Sequence, residues 1–244
     1  RGTLPYFLMD NTKYTNHSTF YRGLNGIKLG RSATKGAYKV YKDLPAPVLS
    51  NTIQKNISLV SQKIGVKLGK PMTFFQANKG RSNIDYKKGF EFDNNCQSTA
   101  VVHEARIRGL DVTALGYIDD KNEKNIFYVL GEHFEKAWIS PNTNEAPTPT
   151  KVKPNKFDVM LHDVDKITKP IGRYHIGINM SNDLGHIITA ERLPNGSLLF
   201  YDAQIGEFCN LKDYSNKKVI DFEVLKVDNL LINENVFKLI SRAL

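Results

Sequence analysis

The stretch that decides the fold is Asp93-Asn94-Asn95-Cys96-Gln97-Ser98-Thr99-Ala100-Val101-Val102-His103-Glu104-Ala105-Arg106-Ile107-Arg108-Gly109. Asp93, Asn94 and Asn95 are helix N-cap residues, and Gly109 is a helix stop. Between them Ala100, Val101, Val102 and Ala105 supply apolar positions. A short helix is therefore predicted, with Cys96 in its first turn. A helix N-terminus presents free N–H groups and a partial positive charge. Both favour a thiolate over a thiol, and the same N–H groups can donate to an oxyanion.

A thiolate needs a base. His186 follows Gly185 at the head of a predicted strand, His186–Leu193, closed by Pro194-Asn195-Gly196. The next strand, Ser197–Asp202, carries Asp202 at its end. With a two-residue loop, Asp202 and His186 are expected as near cross-strand neighbours, where the acid fixes the imidazole's tautomer and orientation. His175, on the preceding strand Arg173–Met180, is the competing base. Cys209 reads as a bystander. Asn95 has two readings of equal weight, a side-chain oxyanion donor beside Cys96 or the helix N-cap.

Outward from this centre, Ile53, Ile57, Val60 and Ile64 recur at i, i+4, i+7 and i+11, the stripe of an amphipathic helix. Ser50 or Asn51 caps it, and Gly65 and Gly69 close it. Residues 70–95 read as polar loop, Leu110–Tyr117 as a strand, and Ile126–Leu130 and Glu132–Ile139 as short strands or helices. Pro141, Pro147, Pro149 and Pro154 make residues 139–156 an extended connection between two halves. Phe157–Val164 is one or two helical turns, Val219–Val227 a strand and Glu234–Leu244 a closing helix. The expected fold class is α+β, with Cys on a helix N-terminus and His and Asp on an antiparallel sheet. Residues 1–88 are expected to form an N-terminal extension and residues 89–244 the catalytic domain.

Composition narrows the function. The 244 residues are 41% hydrophobic and 24% charged, an ordinary globular balance that excludes a disordered tail or a collagen-like repeat. Two cysteines make neither a disulfide framework nor a Cys-x-x-Cys zinc site, so no metal and no cofactor are expected. No apolar run reaches the roughly 18–20 residues of a membrane span. The formal charge of +9 fits a nucleic-acid partner only weakly, because no long basic block occurs. The chain starts Arg1-Gly2 with no signal-like apolar region, and reads as a piece of something longer. A thiol nucleophile implies a reducing place of action.

Two blocks carry a family resemblance. The run from Asn95-Cys96 through Ala105-Arg106-Ile107-Arg108-Gly109-Leu110-Asp111-Val112 resembles the Cys box of the papain-fold toxin family of bacterial polymorphic toxins. Gly185-His186, then Asn195-Gly196 and Tyr201-Asp202-Ala203-Gln204-Ile205-Gly206, resembles that family's Gly-His and Asp-x-Gln-x-Gly block. Gly69-Lys70-Pro71-Met72 through Ala77-Asn78 and Tyr86 resembles the lead-in of phage head-morphogenesis proteins carrying such a domain. The resemblance implies a papain-like fold and a cysteine hydrolase, peptidase or protein-glutamine deamidase, with a Cys96–His186–Asp202 triad. It gives Gln204 a bracing role, a protein as substrate, and phage or secretion-system components as possible partners. Ser98 and Thr99 stand where many members carry a second Cys.

Two other functions compete. Tyr21-Arg22-Gly23 and Ser32-Ala33-Thr34 resemble elements of ADP-ribosyltransferases, but no Glu-x-Glu follows where it should. A phage structural module could also keep a papain-like shell for contact with DNA and perform no turnover.

Overall fold

The structure is a computed structural model describing residues 44–78, 80–116, 130–131, 133–181 and 184–244. Tyr21-Arg22-Gly23, Ser32-Ala33-Thr34 and most of Ile126–Leu130 lie outside the described residues.

Helix α1 (Asn51–Ile64) starts where Ser50 accepts a hydrogen bond from the Ile53 N–H, and Gly65 closes it. Its stripe of Ile53, Ile57 and Val60 is buried, as the periodicity requires. The polar stretch after it, expected as loop, holds helix α2 (Phe74–Asn78), a 3-10 turn (Arg81–Asn83) and helix α3 (Phe90–Asp93). Then comes α4 (Cys96–Ile107), all twelve residues of which are buried. Apolar and charged residues are mixed around α4, because it is covered on every side.

The sheet follows as expected in kind and differs in detail. Strands β3 (Thr150–Val152), β4 (Gly172–Met180), β5 (Leu184–Arg192), β6 (Leu198–Asp202), β7 (Glu207–Cys209) and β8 (Val219–Lys226) form one antiparallel sheet in the order β3-β8-β4-β5-β6-β7. Ile187 and Ile188, adjacent on β5, turn to opposite cores, as strand alternation demands. One core joins Ile187 and Leu225 to Val101 of α4 and Ile57 and Val60 of α1. The other joins Ile188, Ile176 and Phe222 to Met160 and Val164 of helix α5 (Phe157–Ile167). A sheet buried on both faces explains why β4 alternates only partly in sequence. The molecule is therefore mixed α and β with antiparallel sheets.

Three expected boundaries shift for local reasons. Helix α5 runs on to Ile167, where the Thr168 hydroxyl donates to the Val164 carbonyl at 2.8 Å and Pro170 follows. The extended connection at 139–156 contains β3, which pairs with β8. The closing helix, α6 (Glu234–Ile240), stops early because the Ser241 hydroxyl takes the Phe237 carbonyl at 2.7 Å. The last residues then form strand β10 (Ser241–Ala243), antiparallel to β1 (Val112–Ala114). A second small ladder pairs β2 (Trp138–Ile139) with β9 (Leu231–Ile232).

Gly109 ends α4 at φ +108°, and a Cβ there would meet the Gly69 carbonyl oxygen at 2.7 Å. The Gly69 N–H donates to the Gly109 carbonyl at 2.9 Å, so the chains touch through bare backbone. No helix among the described residues is long and apolar enough to cross a membrane.

Candidate active site

Cys96 is the first residue of α4 and only 1% exposed. At that position the N–H groups of the first turn have no intrahelical acceptor and favour negative charge on a nearby sulfur.

His186 is the third residue of β5 and Asp202 the last of β6. The hairpin between them is one residue longer than expected. Leu193 N–H donates to the Ser197 carbonyl at 2.9 Å, leaving Pro194-Asn195-Gly196 as a three-residue turn, and Thr189 faces Tyr201. His186 and Asp202 are thus diagonal rather than directly opposed. They still meet: His186 Nε2 and Asp202 Oδ2 are 2.6 Å apart, with both residues buried.

The other imidazole nitrogen, Nδ1, is buried and makes no hydrogen bond to a nitrogen or oxygen of the described residues, while Cys96 is near enough to act on the ring. Burial opposes a charge on this ring. The Asp202 carboxylate, by charge and hydrogen bond, and then Cys96 outweigh burial and push His186 up to about 10. Asp202 and Cys96 both favour a proton on this ring. Cys209 is the contrast. Burial first, and then the carboxylates of Asp202, Asp213 and Glu207, push its thiol well above the usual range.

Asn95 stands at the N-cap position of α4, where its carbonyl accepts the Thr99 N–H at 3.0 Å, but its side chain is engaged elsewhere. Its side chain makes no capping bond. Its Nδ2 donates to Asn83 Oδ1 at 3.1 Å and to the Leu115 carbonyl at 3.2 Å, which uses both protons and leaves none for an oxyanion. Its Oδ1 accepts from Asn83 Nδ2 at 3.1 Å and Gln204 Nε2 at 3.4 Å. Gln204 also donates its backbone N–H to Asp202 Oδ1 at 3.0 Å. Gly206, at φ +75°, lets its N–H return to the Asp202 carbonyl at 2.9 Å and closes the turn. Asn83 is the residue that sequence reading missed. Nothing in the polar stretch around it marks it, because the partner that ties it to the acid's loop, Gln204, is 121 positions away.

The competing histidine stands elsewhere. His175 packs edge-on against Trp138, with ring centroids 5.4 Å apart, and burial pushes it down to about 4. His103 lies between Phe74 and Tyr201, and burial pushes it down to about 3. Both rings are neutral at pH 7.

The charged end of α4 is a closed network. Glu104 takes Arg173 through two nitrogens at 2.7 and 2.9 Å and Arg108 at 2.9 Å. Arg108 also donates to the carbonyls of Leu230 and Val227 at 2.7 and 2.8 Å and lies over the Trp138 ring. Burial alone would raise the Glu104 carboxyl, but Arg173 and Arg108 hold it down at about 2. Arg106 bonds Asp111 at 2.8 Å and the Ala77 carbonyl at 3.0 Å. The Arg-x-Arg-Gly and Asp-Val residues of the first motif block therefore pack the helix's far end.

Among the described residues no group of three or more His, Cys, Asp and Glu could hold a metal ion. A small cavity lined by His103, Glu104, Arg173 and Glu191 adjoins the later turns of α4, and Cys96 does not line it. No family model matches this chain, and no curated protein matches it.

Proposed function

We propose that this chain is a papain-like thiol hydrolase that cleaves an amide of a protein substrate through Cys96, His186 and Asp202. One observation carries the reading. A cysteine opens a buried helix beside a histidine whose far nitrogen is bound to a buried aspartate at 2.6 Å. The two motif blocks that resemble papain-fold toxins support the same residues in the same roles.

In this mechanism the Cys96 sulfur attacks the carbonyl carbon, and the C–S bond forms as the C=O π-bond opens. The N–H groups at the start of α4 receive the developing oxyanion. His186 gives its proton to the leaving nitrogen as the C–N bond breaks, releasing an amine or ammonia. Water then attacks the thioester, its proton passes to His186, and the acid and the thiol are released. Asp202 keeps the ring oriented and stabilises its positive charge whenever it holds the second proton. A peptide bond and a glutamine side-chain amide are equivalent in this first step, so peptidase and deamidase share the site. The setting that fits the motif resemblance is a toxin or phage-associated domain acting in a reducing compartment.

The test is mass spectrometry of candidate proteins incubated with wild type and with Cys96→Ser. Deamidation appears as a gain of about one dalton on Gln, and proteolysis as new termini. Absence of both, with wild type as inert as Cys96→Ser across a broad protein mixture, would leave a binding module in place of an enzyme.

A further inference from the structure

The residue that joins the two sides of the site is outside the triad. Asn83, in the 3-10 turn Arg81–Asn83, is 4% exposed. Its Nδ2 has three acceptors within hydrogen-bond reach, the Phe92 carbonyl at 2.9 Å, the Gln204 carbonyl at 3.0 Å and Asn95 Oδ1 at 3.1 Å, which share its two protons. Its Oδ1 accepts from Asn95 Nδ2 at 3.1 Å. Asn95 immediately precedes Cys96, and Gln204 is the residue whose N–H holds Asp202 Oδ1 at 3.0 Å. One side chain thus bonds the entry to the cysteine helix and the loop of the acid, which it meets across 121 positions of sequence.

The orientation of both amides is determined. The carbonyls of Phe92, Gln204 and Leu115 can only accept, so Asn83 and Asn95 must each turn their NH2 groups toward them. Flipping either amide would set oxygen against oxygen. The reciprocal pair has one arrangement, and with it the Asp202 loop has one position relative to α4.

We propose that Asn83 is a positioning residue: its amide fixes the Asp202 loop against the start of the Cys96 helix, so that Asp202 meets His186 while His186 adjoins Cys96. This inference rests on reading those three residues as one reactive unit. Without Asn83, the Gln204 carbonyl and the Asn95 amide lose buried partners. The turn keeps its own Gly206-to-Asp202 bond, but its place against α4 is no longer set, and the 2.6 Å contact to His186 loosens.

The experiment follows the His186 titration by NMR and Cys96 alkylation by mass spectrometry in wild type, Asn83→Ala and Asn94→Ala. Asn94 is the control: it is buried immediately before Asn95, and its Nδ2 donates to the Phe90 carbonyl at 2.8 Å. Asn83→Ala is expected to lower the His186 midpoint by at least about one unit and to slow Cys96 alkylation near pH 7 about tenfold. Asn94→Ala is expected to lower the melting temperature and leave both readouts in place. Asn83→Ser, which keeps one hydroxyl, gives an intermediate shift and serves if alanine does not fold. A folded Asn83 variant with an unmoved His186 midpoint overturns the proposal. If His186 moves but wild-type Cys96 reacts no faster than Cys209, Asn83 positions the His–Asp pair and the hydrolase reading fails instead.

Discussion

The two ends of helix α4 carry two buried ionic groups that are built differently. At the C-terminal end, Glu104 meets Arg173 and Arg108, and Arg108 also donates to two main-chain carbonyls. That network is closed. At the N-terminal end, His186 is bound on one nitrogen by Asp202, and among the described residues no nitrogen or oxygen bonds its other nitrogen. That network is open toward a sulfur. The difference teaches that buried charge does not by itself mark chemistry. The mark is a strongly shifted group with unfilled bonding capacity beside a nucleophile.

The largest expected effects separate the two ends by function. Cys96→Ser should reduce amide hydrolysis at least about 10⁴-fold with little change in melting temperature. Glu104→Ala should do the opposite. It leaves two buried guanidinium groups without their carboxylate and should cost roughly 3–5 kcal/mol in denaturant unfolding. The fraction that stays folded should keep the Cys96 reactivity. Loss of that reactivity in folded Glu104→Ala would mean that the two ends are coupled.

The ends should also fail at opposite extremes of pH. The folded state raises His186 from 6.5 to about 10, so the stability it contributes is full below 6.5 and lost as pH rises through about 10. His103 and His175 are lowered from 6.5 to about 3 and about 4, so stability declines as pH falls from 6.5 toward those values. Glu104, lowered from 4.5 to about 2, adds to the acid decline as its arginine pairing is titrated away. Melting temperatures across pH should show Asp202→Asn flattening the alkaline arm and sparing the acid arm. An Asp202→Asn protein with an unchanged alkaline arm would break the assignment of that arm to His186.

The smallest expected effect belongs to neither end. Ser50→Ala removes the capping bond to Ile53 and should cost about 1 kcal/mol, with both ends of α4 unaffected.

What was legible in the sequence was local. The Asp93-Asn94-Asn95 run, Cys96 and the Gly109 stop define a helix by themselves, and a Pro-Asn-Gly turn between apolar runs defines a hairpin. Those two elements offered Cys96, His186 and Asp202 as candidates and the motif resemblance singled them out; the hairpin loop, one residue longer than expected, still leaves His186 and Asp202 in contact. The misses were nonlocal. Arg173 meets Glu104 across 69 positions and Asn83 meets Gln204 across 121, and no spacing rule connects them. The oxyanion reading of Asn95 rested on adjacency to Cys96, whereas Asn83 and the Leu115 carbonyl, which adjacency does not show, occupy its amide; its place at the N-cap was legible. Partial alternation in β4 was ambiguous because both faces of the sheet are covered. The reversal of the last residues into β10 depended on a single hydroxyl, that of Ser241.

The central claim is that His186 and Asp202 activate Cys96. Its most direct test is the rate of iodoacetamide alkylation at Cys96 and Cys209, followed by mass spectrometry from pH 5 to pH 9, in wild type and in His186→Ala. Access to the buried sulfur is common to both proteins, so their ratio isolates activation. The expected result is that wild-type Cys96 reacts near pH 6 at least about tenfold faster than Cys209, and that His186→Ala removes the advantage. Equal rates at Cys96 in wild type and His186→Ala across that range would contradict it.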